Sequence, residues 1–378
     1  MKFSTLRNLR LVGFITCYVG LAACQTVAVP EQSRKHGTPE LQRMRVGGDE
    51  RRNGIFDPSV EYGDDGIGWL AYSSIDIPKF IETHIAKSID HGATWSYVRA
   101  ANTSAENSAK EKDESATGVW RFETPSLLFD PADKPARRWK LFTNRYSISE
   151  PFKPADRHMS TGTIDVQYSA TPDGEWSRPT CIVGTAAHCR IDVARTAPAL
   201  AEVKFTTEPG TIVEKGVIYM SLDAGTTDSG MGEWENYRVI LLASSDHGEK
   251  WHYVGTLLDH SDAMRFDYLV FTGTSLVREK GKLYLMATPS GSTKKSNQDH
   301  DGTMVMEIAD IAGAKLMRDD AGKPIVIKRL EVEKQSGGLA DYDEQNTAGG
   351  IIFPQFTIFG VPEFFQIWNS GQTISDSP

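Results

Sequence analysis

Cysteine is scarce in this 378-residue chain, with four residues at positions 17, 24, 181 and 189. So few cannot build the dense disulfide framework of a small secreted module. Basic charge is also short. Forty-one Lys and Arg face 50 Asp and Glu, a formal net charge of −9. An acidic chain offers no electrostatic footprint for nucleic acid. Beyond the first two dozen residues no apolar run reaches the ~20 residues of a membrane-spanning helix. Helical periodicity is nearly absent too. Only residues 310–318, with Ile311, Ala314 and Leu316, hint at a helical turn. Nothing in the pattern asks for a cofactor or a metal.

The first 23 residues read as a targeting segment. Lys2, Arg7 and Arg10 form a basic start, and an apolar run follows from Leu11 to Ala23. It is too short for a spanning helix and is set aside from fold reasoning. Leu21-Ala22-Ala23-Cys24 resembles a bacterial lipobox, which implies cleavage before Cys24 and lipid attachment to it. The rival account is an ordinary secretory peptide with an incidental Cys. Gln25 after the Cys resembles an outer-membrane address. The expected organisation is a signal peptide at 1–23, a polar tether at 24–45 and a folded body at 46–378. Removing the signal leaves 355 residues with a formal charge of −12. Cys181 and Cys189, eight positions apart, then read as a disulfide in an exported chain. A metal site with His188 is the alternative, and it needs more ligands than this segment offers.

The body carries one motif twice. Ser88-Ile89-Asp90-His91-Gly92-Ala93-Thr94-Trp95 and Ser244-Ser245-Asp246-His247-Gly248-Glu249-Lys250-Trp251 share the frame Ser-x-Asp-x-Gly-x-x-Trp. Asp bonds its own backbone and Gly tolerates positive φ, so Ser88, Asp90, Gly92 and Ser244, Asp246, Gly248 read as tight hairpins. Trp95 and Trp251 would pack back on the sheet. The motif resembles the Asp-box of sialidases and related β-propellers, where it marks outer hairpins away from the usual active site. A longer self-similarity runs through anchors at Pro58, Pro125, Pro198, Thr274 and Gly350, at steps of 67, 73, 76 and 76 residues. A near-constant step signals a repeat architecture. Each anchor is followed by a β-branched or aromatic run, as in Trp69-Leu70-Ala71-Tyr72 and Ile218-Tyr219-Met220. Five units predict an all-β, five-bladed β-propeller. The alternative is a six-bladed sialidase-type propeller, for which no sixth anchor is found. Residues near Arg43 to Gly48 are placed to supply the missing outer strand of the last blade.

In a propeller the first strand of each blade lines a central channel. Its start therefore gathers side chains from distant sequence. Asp57 and Glu123 are the acids so placed, with Asp192, Arg195 and Asp267 nearby, Arg145, Tyr146 and, as a further candidate, Asp223 after second strands, and Trp120 as a sugar-stacking face. The arrangement resembles five-bladed glycosidases: arabinanases and xylosidases, fructosidases, and mannoside phosphorylases. That resemblance implies an acid on the first blade's inner strand, and Asp57 in Phe56-Asp57-Pro58 matches it. The third anchor, Arg195-Thr196-Ala197-Pro198, shows no acid. Glycoside hydrolysis needs a proton donor and a second carboxylate, and Asp57 with Glu123 can supply them. The bland account is that Asp57 caps its turn and Glu123 pairs with an Arg.

The expectation is a lipid-anchored carbohydrate-binding protein of the bacterial envelope, at the outer membrane, that cleaves its ligand and is monomeric, touching membrane only through its lipid. A non-catalytic glycan-binding lipoprotein is the first alternative. An exo-sialidase is the second; it would need Arg145, Arg195 and Arg265 to converge with Tyr146 or Tyr268.

Overall fold

The computed structural model describes residues 41–49, 51–104, 118–153, 157–184, 189, 191–192, 197–226, 234–294, 300–330, 339–345, 350–358 and 363–375. The signal segment, Cys24 and Arg195 lie outside them. Two short strands come first, β1 (Gln42–Met44) and β2 (Val46–Gly47). Blade I is β3 (Gly54–Tyr62), β4 (Gly68–Asp76), β5 (Phe80–Ser88) and β6 (Trp95–Asn102). Blade II is β7 (Gly118–Phe129), β8 (Trp139–Ser149), β9 (Arg157–Ser169) and β10 (Thr180–Gly184), with β11 (Ile191–Asp192) added at its edge. Blade III is β12 (Phe205–Glu214), β13 (Val217–Gly225), β14 (Arg238–Ser244) and β15 (His252–Asp259). A one-turn helix, α1 (His260–Met264), leads to blade IV. That blade is β16 (Tyr268–Glu279), β17 (Lys282–Ser292) and β18 (Thr303–Asp310), edged by β19 (Lys315–Leu316) and β20 (Val326–Leu330). Blade V is β21 (Asp341–Tyr342), β22 (Ile351–Ile358) and β23 (Glu363–Asn369).

The ring closes through the N-terminal strands. β1 pairs antiparallel with β23 as the outer strand of blade V, and β2 pairs with β6 of blade I. Residues 42–44, which the sequence placed in the tether, are thus part of the propeller. This closure leaves no long unpaired edge between the first and last blades. The architecture is a five-bladed β-propeller.

The apolar core is divided among the five blade interfaces. Trp69 and Ile85 of blade I meet Leu127 and Leu141 of blade II. Phe142 and Val166 meet Met220 and Leu242 of blade III. Val239 and Leu241 meet Phe271 and Leu285 of blade IV. Met286 and Val305 meet Ile351 and Phe353 of blade V. Ile352 and Ile367 return to Leu70 and Ala86. Strands covered on both faces need near-continuous apolar runs, which explains Leu70-Ala71-Tyr72 and Ile240-Leu241-Leu242.

Two anchors differ from the sequence reading. Pro198 opens a 3-10 turn, Pro198–Leu200, ahead of blade III, whose inner strand is β12. Gly350 precedes the second strand of blade V, and the inner strand is the two-residue β21. Pro198 imitates the anchor because Pro-Ala-Leu suits a turn opening as well as a strand.

The Asp-box hairpins join the third and outer strands of blades I and III, at the end opposite the start of the inner strands. Ser88 Oγ donates to Asp90 Oδ1 at 2.8 Å, and the Thr94 amide donates to the same oxygen at 2.9 Å. Gly92 N–H donates to Ser88 Oγ at 2.9 Å. Ser244, Asp246, Gly248 and Lys250 repeat this pattern. His91 (φ 55°) and His247 (φ 62°) take left-handed backbone beside Gly92 and Gly248. Trp95 and Trp251 are buried on the blade. Cys181 and Cys189 are joined by a disulfide at the edge of blade II.

Candidate functional site

Four inner strands share a kink near their starts. Asp57 (φ 49°), Thr124 (φ 49°), Glu208 (φ 55°) and Gly273 (φ 56°) are left-handed. At each kink the pairing to the second strand slips by a residue. The local sequences are Asp57-Pro58-Ser59, Thr124-Pro125-Ser126, Glu208-Pro209-Gly210 and Gly273-Thr274-Ser275. Such bulges re-aim side chains and cluster at functional sites.

The residues after the kinks stitch neighbouring blades together. Ser59 Oγ accepts the Leu127 amide at 2.9 Å, and Ser126 Oγ accepts the Thr211 amide at 3.0 Å. Gly210 has no side chain because the backbone of blade IV is too close. A Cβ there would fall 2.3 Å from the Thr274 carbonyl oxygen.

The second strands place a polar residue beside each kink, which reaches the next blade. Ser73 Oγ donates to Asp57 at 3.0 Å and accepts the Thr124 amide at 3.0 Å. Asn144 Nδ2 donates to Thr207 Oγ1 at 2.7 Å. Asp223 accepts the Gly273 amide at 3.1 Å, the Tyr237 hydroxyl at 2.9 Å and the Thr272 hydroxyl. Glu208 accepts from those same blade IV groups, Thr272 Oγ1 at 2.6 Å and Gly273 N at 2.5 Å.

This geometry gathers acids. Asp57 is fully buried, and burial first, then the charges of Glu123 and Glu208, push its carboxyl well above the usual range. Asp223 is driven up in the same direction by burial and then by Glu208. Glu123 is more open and accepts the Tyr146 hydroxyl at 2.5 Å. Arg145 pairs with Asp165 at 2.9 Å and lies over the Trp120 ring, 4.7 Å from its centroid.

Of the residues singled out from sequence, Asp57, Glu123, Tyr146, Arg145 and Trp120 lie on the inner two strands of blades I and II. Asp267, just before β16, is half exposed and paired with Lys294 at 2.6 Å. Asp192 lies in the edge strand β11, far out on blade II, not on an inner strand. Arg265 turns outward, donating to the Ala321 carbonyl at 2.8 Å. Arg265 therefore does not join Arg145 in a carboxylate clamp. Tyr268 is bound to Asp301 and Arg329.

Glu208 escaped the sequence reading, whereas Asp223 was among its candidates after a second strand and lies on the second strand of blade III itself. The signal for Glu208 was present: Glu208-Pro209-Gly210 repeats the residue-Pro-small grammar of the first two kinks. Asp223 could be placed only by its position after an apolar run, because its blade IV partners sit 49 and 50 positions away.

Beyond the kinks the channel opens into a cavity of about 340 Å³. Ser59, Ser126, Thr211, Ser275, Glu61 and Asp341 are among its lining residues. Burial pushes Glu61 up to about 8 and Asp341 up to about 7. Another cluster, Asp130, Asp133 and His247, has metal-like spacing where blades II and III meet. Its centre is taken by the buried Lys140 ammonium, 2.7 Å from Asp133 and 3.3 Å from Asp130. A resident cation of that kind satisfies the acids without a metal.

Among the solved structures with the same fold are several glycoside hydrolases. The Bombyx mori GH32 beta-fructofuranosidase BmSUC1 superposes with a TM-score of 0.52 at 13% identity, over 88% of this chain and 61% of that one. The chain therefore spans less than two thirds of that enzyme's length. A thermostable family-43 glycoside hydrolase gives a TM-score of 0.51 at 14% identity, over 86% and 91% of the two chains. Zg3597, a family 117 glycoside hydrolase of Zobellia galactanivorans, gives 0.50 at 14% identity, over 87% and 90%. No protein-family model matches the sequence, and no curated protein matches it. At these identities the likeness shows the fold.

Proposed function

We propose that this chain is a carbohydrate-active propeller that hydrolyses a glycosidic bond at the channel mouth. The observation that carries the reading is the convergence of Asp57, Glu123 and Glu208, delivered by three consecutive blades. Asp223, pushed up by burial and then by the Glu208 charge beside it, keeps a proton that relieves the like charge between the two acids. That proton can pass to the departing glycosidic oxygen as the bond to the anomeric carbon breaks. Asp57, whose carboxyl is held above its usual range, is suited to take the proton of the attacking water. Glu123, steadied by Tyr146, and the Trp120–Arg145 stack are placed to hold the sugar.

The solved relatives support a carbohydrate ligand; one is titled as the silkworm enzyme in complex with sucrose. The acid-rich mouth, without an arginine clamp among the described residues, favours an uncharged sugar over a sialoside. We further propose that the propeller is held at the bacterial outer membrane through a lipid on Cys24. Cys24→Ala should release it from the membrane fraction or block its processing.

A panel of chromogenic glycosides and natural glycans, presented to the chain and to its Glu208→Gln variant, tests the activity. Turnover lost by at least about a hundredfold in the variant supports hydrolysis. Glycan binding without turnover in either protein would favour the non-catalytic alternative.

A further inference from the structure

Arg121 is a buried cation without an ion pair. It lies in β7 and is 2% exposed. A guanidinium stays charged inside proteins, and a buried charge left uncompensated is costly. Among the described residues no carboxylate lies within ion-pairing reach of it. Nε donates to the Lys79 carbonyl at 3.0 Å, Nη2 donates to the Pro78 carbonyl, and Nη1 donates to the Tyr146 hydroxyl at 3.4 Å. Carbonyl and hydroxyl oxygens satisfy N–H groups, but they carry no net charge to balance the cation.

The balancing charge stands one side chain further on. Arg121 and Glu123 are two apart on β7, which turns both toward the same face of the sheet. Tyr146 is directly opposite Arg121 on β8. Its hydroxyl accepts from Arg121 and donates to Glu123 Oε2 at 2.5 Å. Tyr146 is 1% exposed, so these contacts run through the interior until they reach the more open Glu123. Glu123 Oε1 has no hydrogen-bond partner among the described residues. The two carbonyls that Arg121 also holds belong to the turn between β4 and β5 of blade I. One side chain thus ties that turn to the acid of blade II.

We propose that Arg121 is a positioning residue for sugar recognition: acting through Tyr146, it holds the Glu123 carboxylate with Oε2 turned inward and Oε1 presented to a sugar hydroxyl. The inference rests on the reading that this mouth binds an uncharged glycan. An ionised carboxylate only accepts, so its natural partner is a hydroxyl donor. Such a charge-assisted bond is roughly twice as strong as a neutral one. Asp57 feels the charges of both Glu123 and Glu208, so the acids of three blades repel one another. A cation held behind Glu123 offsets that repulsion while leaving its outer oxygen free. An Arg121 that only pinned the turn would not act through the Tyr146 hydroxyl.

The test is a double-mutant cycle in the full chain on para-nitrophenyl pentosides and hexosides. It reads KM and kcat, and Kd by calorimetry, for the member that the parent binds tightest. Tyr146→Phe keeps the packed ring and removes the hydroxyl alone. Tyr146→Phe and Arg121→Gln should each raise KM and Kd at least about tenfold, with kcat changed less than about threefold. Arg121→Lys, which keeps the charge, should fall between the parent and Arg121→Gln. In a Glu123→Gln background, Tyr146→Phe should add less than about twofold, because the carboxylate it orients is gone. Equal losses from Tyr146→Phe in both backgrounds overturn the proposal, as does an unchanged KM and Kd in Tyr146→Phe alone. Where Arg121→Gln does not fold, Tyr146→Phe and its cycle with Glu123→Gln decide. Binding without turnover in the parent removes the hydrolysis reading and leaves the positioning role to be judged on Kd. A parent that binds no member overturns both.

Discussion

Glu208 and Asp223 both lie within hydrogen-bonding distance of the same two groups of the next blade, the Thr272 hydroxyl and the Gly273 amide. Two carboxylates on shared donors cannot both stay ionised cheaply. Burial and Glu208 already push Asp223 up. Asp223 therefore keeps its proton to higher pH than an exposed aspartate would.

Asp223→Asn tests that proton. The amide removes the carboxyl that burial and Glu208 push up, and it can itself donate to Glu208. The alkaline limb of the kcat/KM profile should move to lower pH, with turnover at pH 7 reduced on the order of tenfold or more. Folding should persist, because the amide fills the same volume. An unchanged alkaline limb with full activity would remove Asp223 from the mechanism.

How much of this was legible depends on the range of the interaction involved. The kinks at Asp57-Pro58-Ser59 and Thr124-Pro125-Ser126 could be read because Pro fixes φ locally and a small residue must follow where blades touch. Glu208-Pro209-Gly210 obeys the same rule, yet Thr196-Ala197-Pro198 offers a local imitation eleven positions earlier. Only pairing of β12 with β13 separates them. β21 is two residues long and shows no period at all. The Asp-boxes were legible because their bonds stay within five residues. The bonds of Asp223 span about fifty, and no local pattern encodes them.

Acidity at the far end of the channel should shape stability. Asp341 ionises near 4 in an unfolded chain. In the fold, burial holds its proton up to about 7, although the Val60 and Tyr342 amides, at 2.6 and 2.8 Å, partly offset this. Between those pH values the unfolded chain has released a proton that the folded chain keeps. Raising the pH therefore favours unfolding. The contribution is fully present below about pH 4 and lost above about 7. Asp341→Asn should make the drop in urea-unfolding free energy between pH 5 and 8.5 shallower by about 2–3 kcal/mol. Glu61 acts in the same direction, so Glu61→Gln should add to the effect. Identical pH slopes in variant and parent would refute it.

The Asp-boxes should matter to folding and not to the ligand. Asp246→Ala removes bonds from Ser244 Oγ at 2.9 Å and the Lys250 amide at 2.8 Å. A loss of about 1–2 kcal/mol is expected by chemical denaturation. Glycan affinity should persist in the folded fraction, since the hairpin lies at the end opposite Asp57. Lost affinity at an unchanged melting temperature would contradict that separation.

Asp57 should show the opposite signature, costing function while sparing the fold. Its backbone is left-handed at φ 49°, a conformation that Asn tolerates well. Its carboxyl accepts a short bond from Ser73 at 3.0 Å and a longer one from the Leu339 amide at 3.4 Å. In Asp57→Asn the amide oxygen can keep the Ser73 bond, and the NH2 group turns to the weaker Leu339 contact. The buried charge disappears, and with it the repulsion from Glu123 and Glu208 that raises Asp57. The melting temperature at pH 7–8 should therefore hold or rise. Below about pH 4, where the parent carboxyl is protonated as well, the two proteins should melt alike. Turnover should fall by at least about a hundredfold, because an amide cannot take a proton from water. Calorimetry across that pH range, paired with rates on whichever glycoside the panel identifies, reads both effects in one protein. A variant that melts higher and still turns over normally would leave Asp57 a buried turn residue and move the search for the base to Glu123.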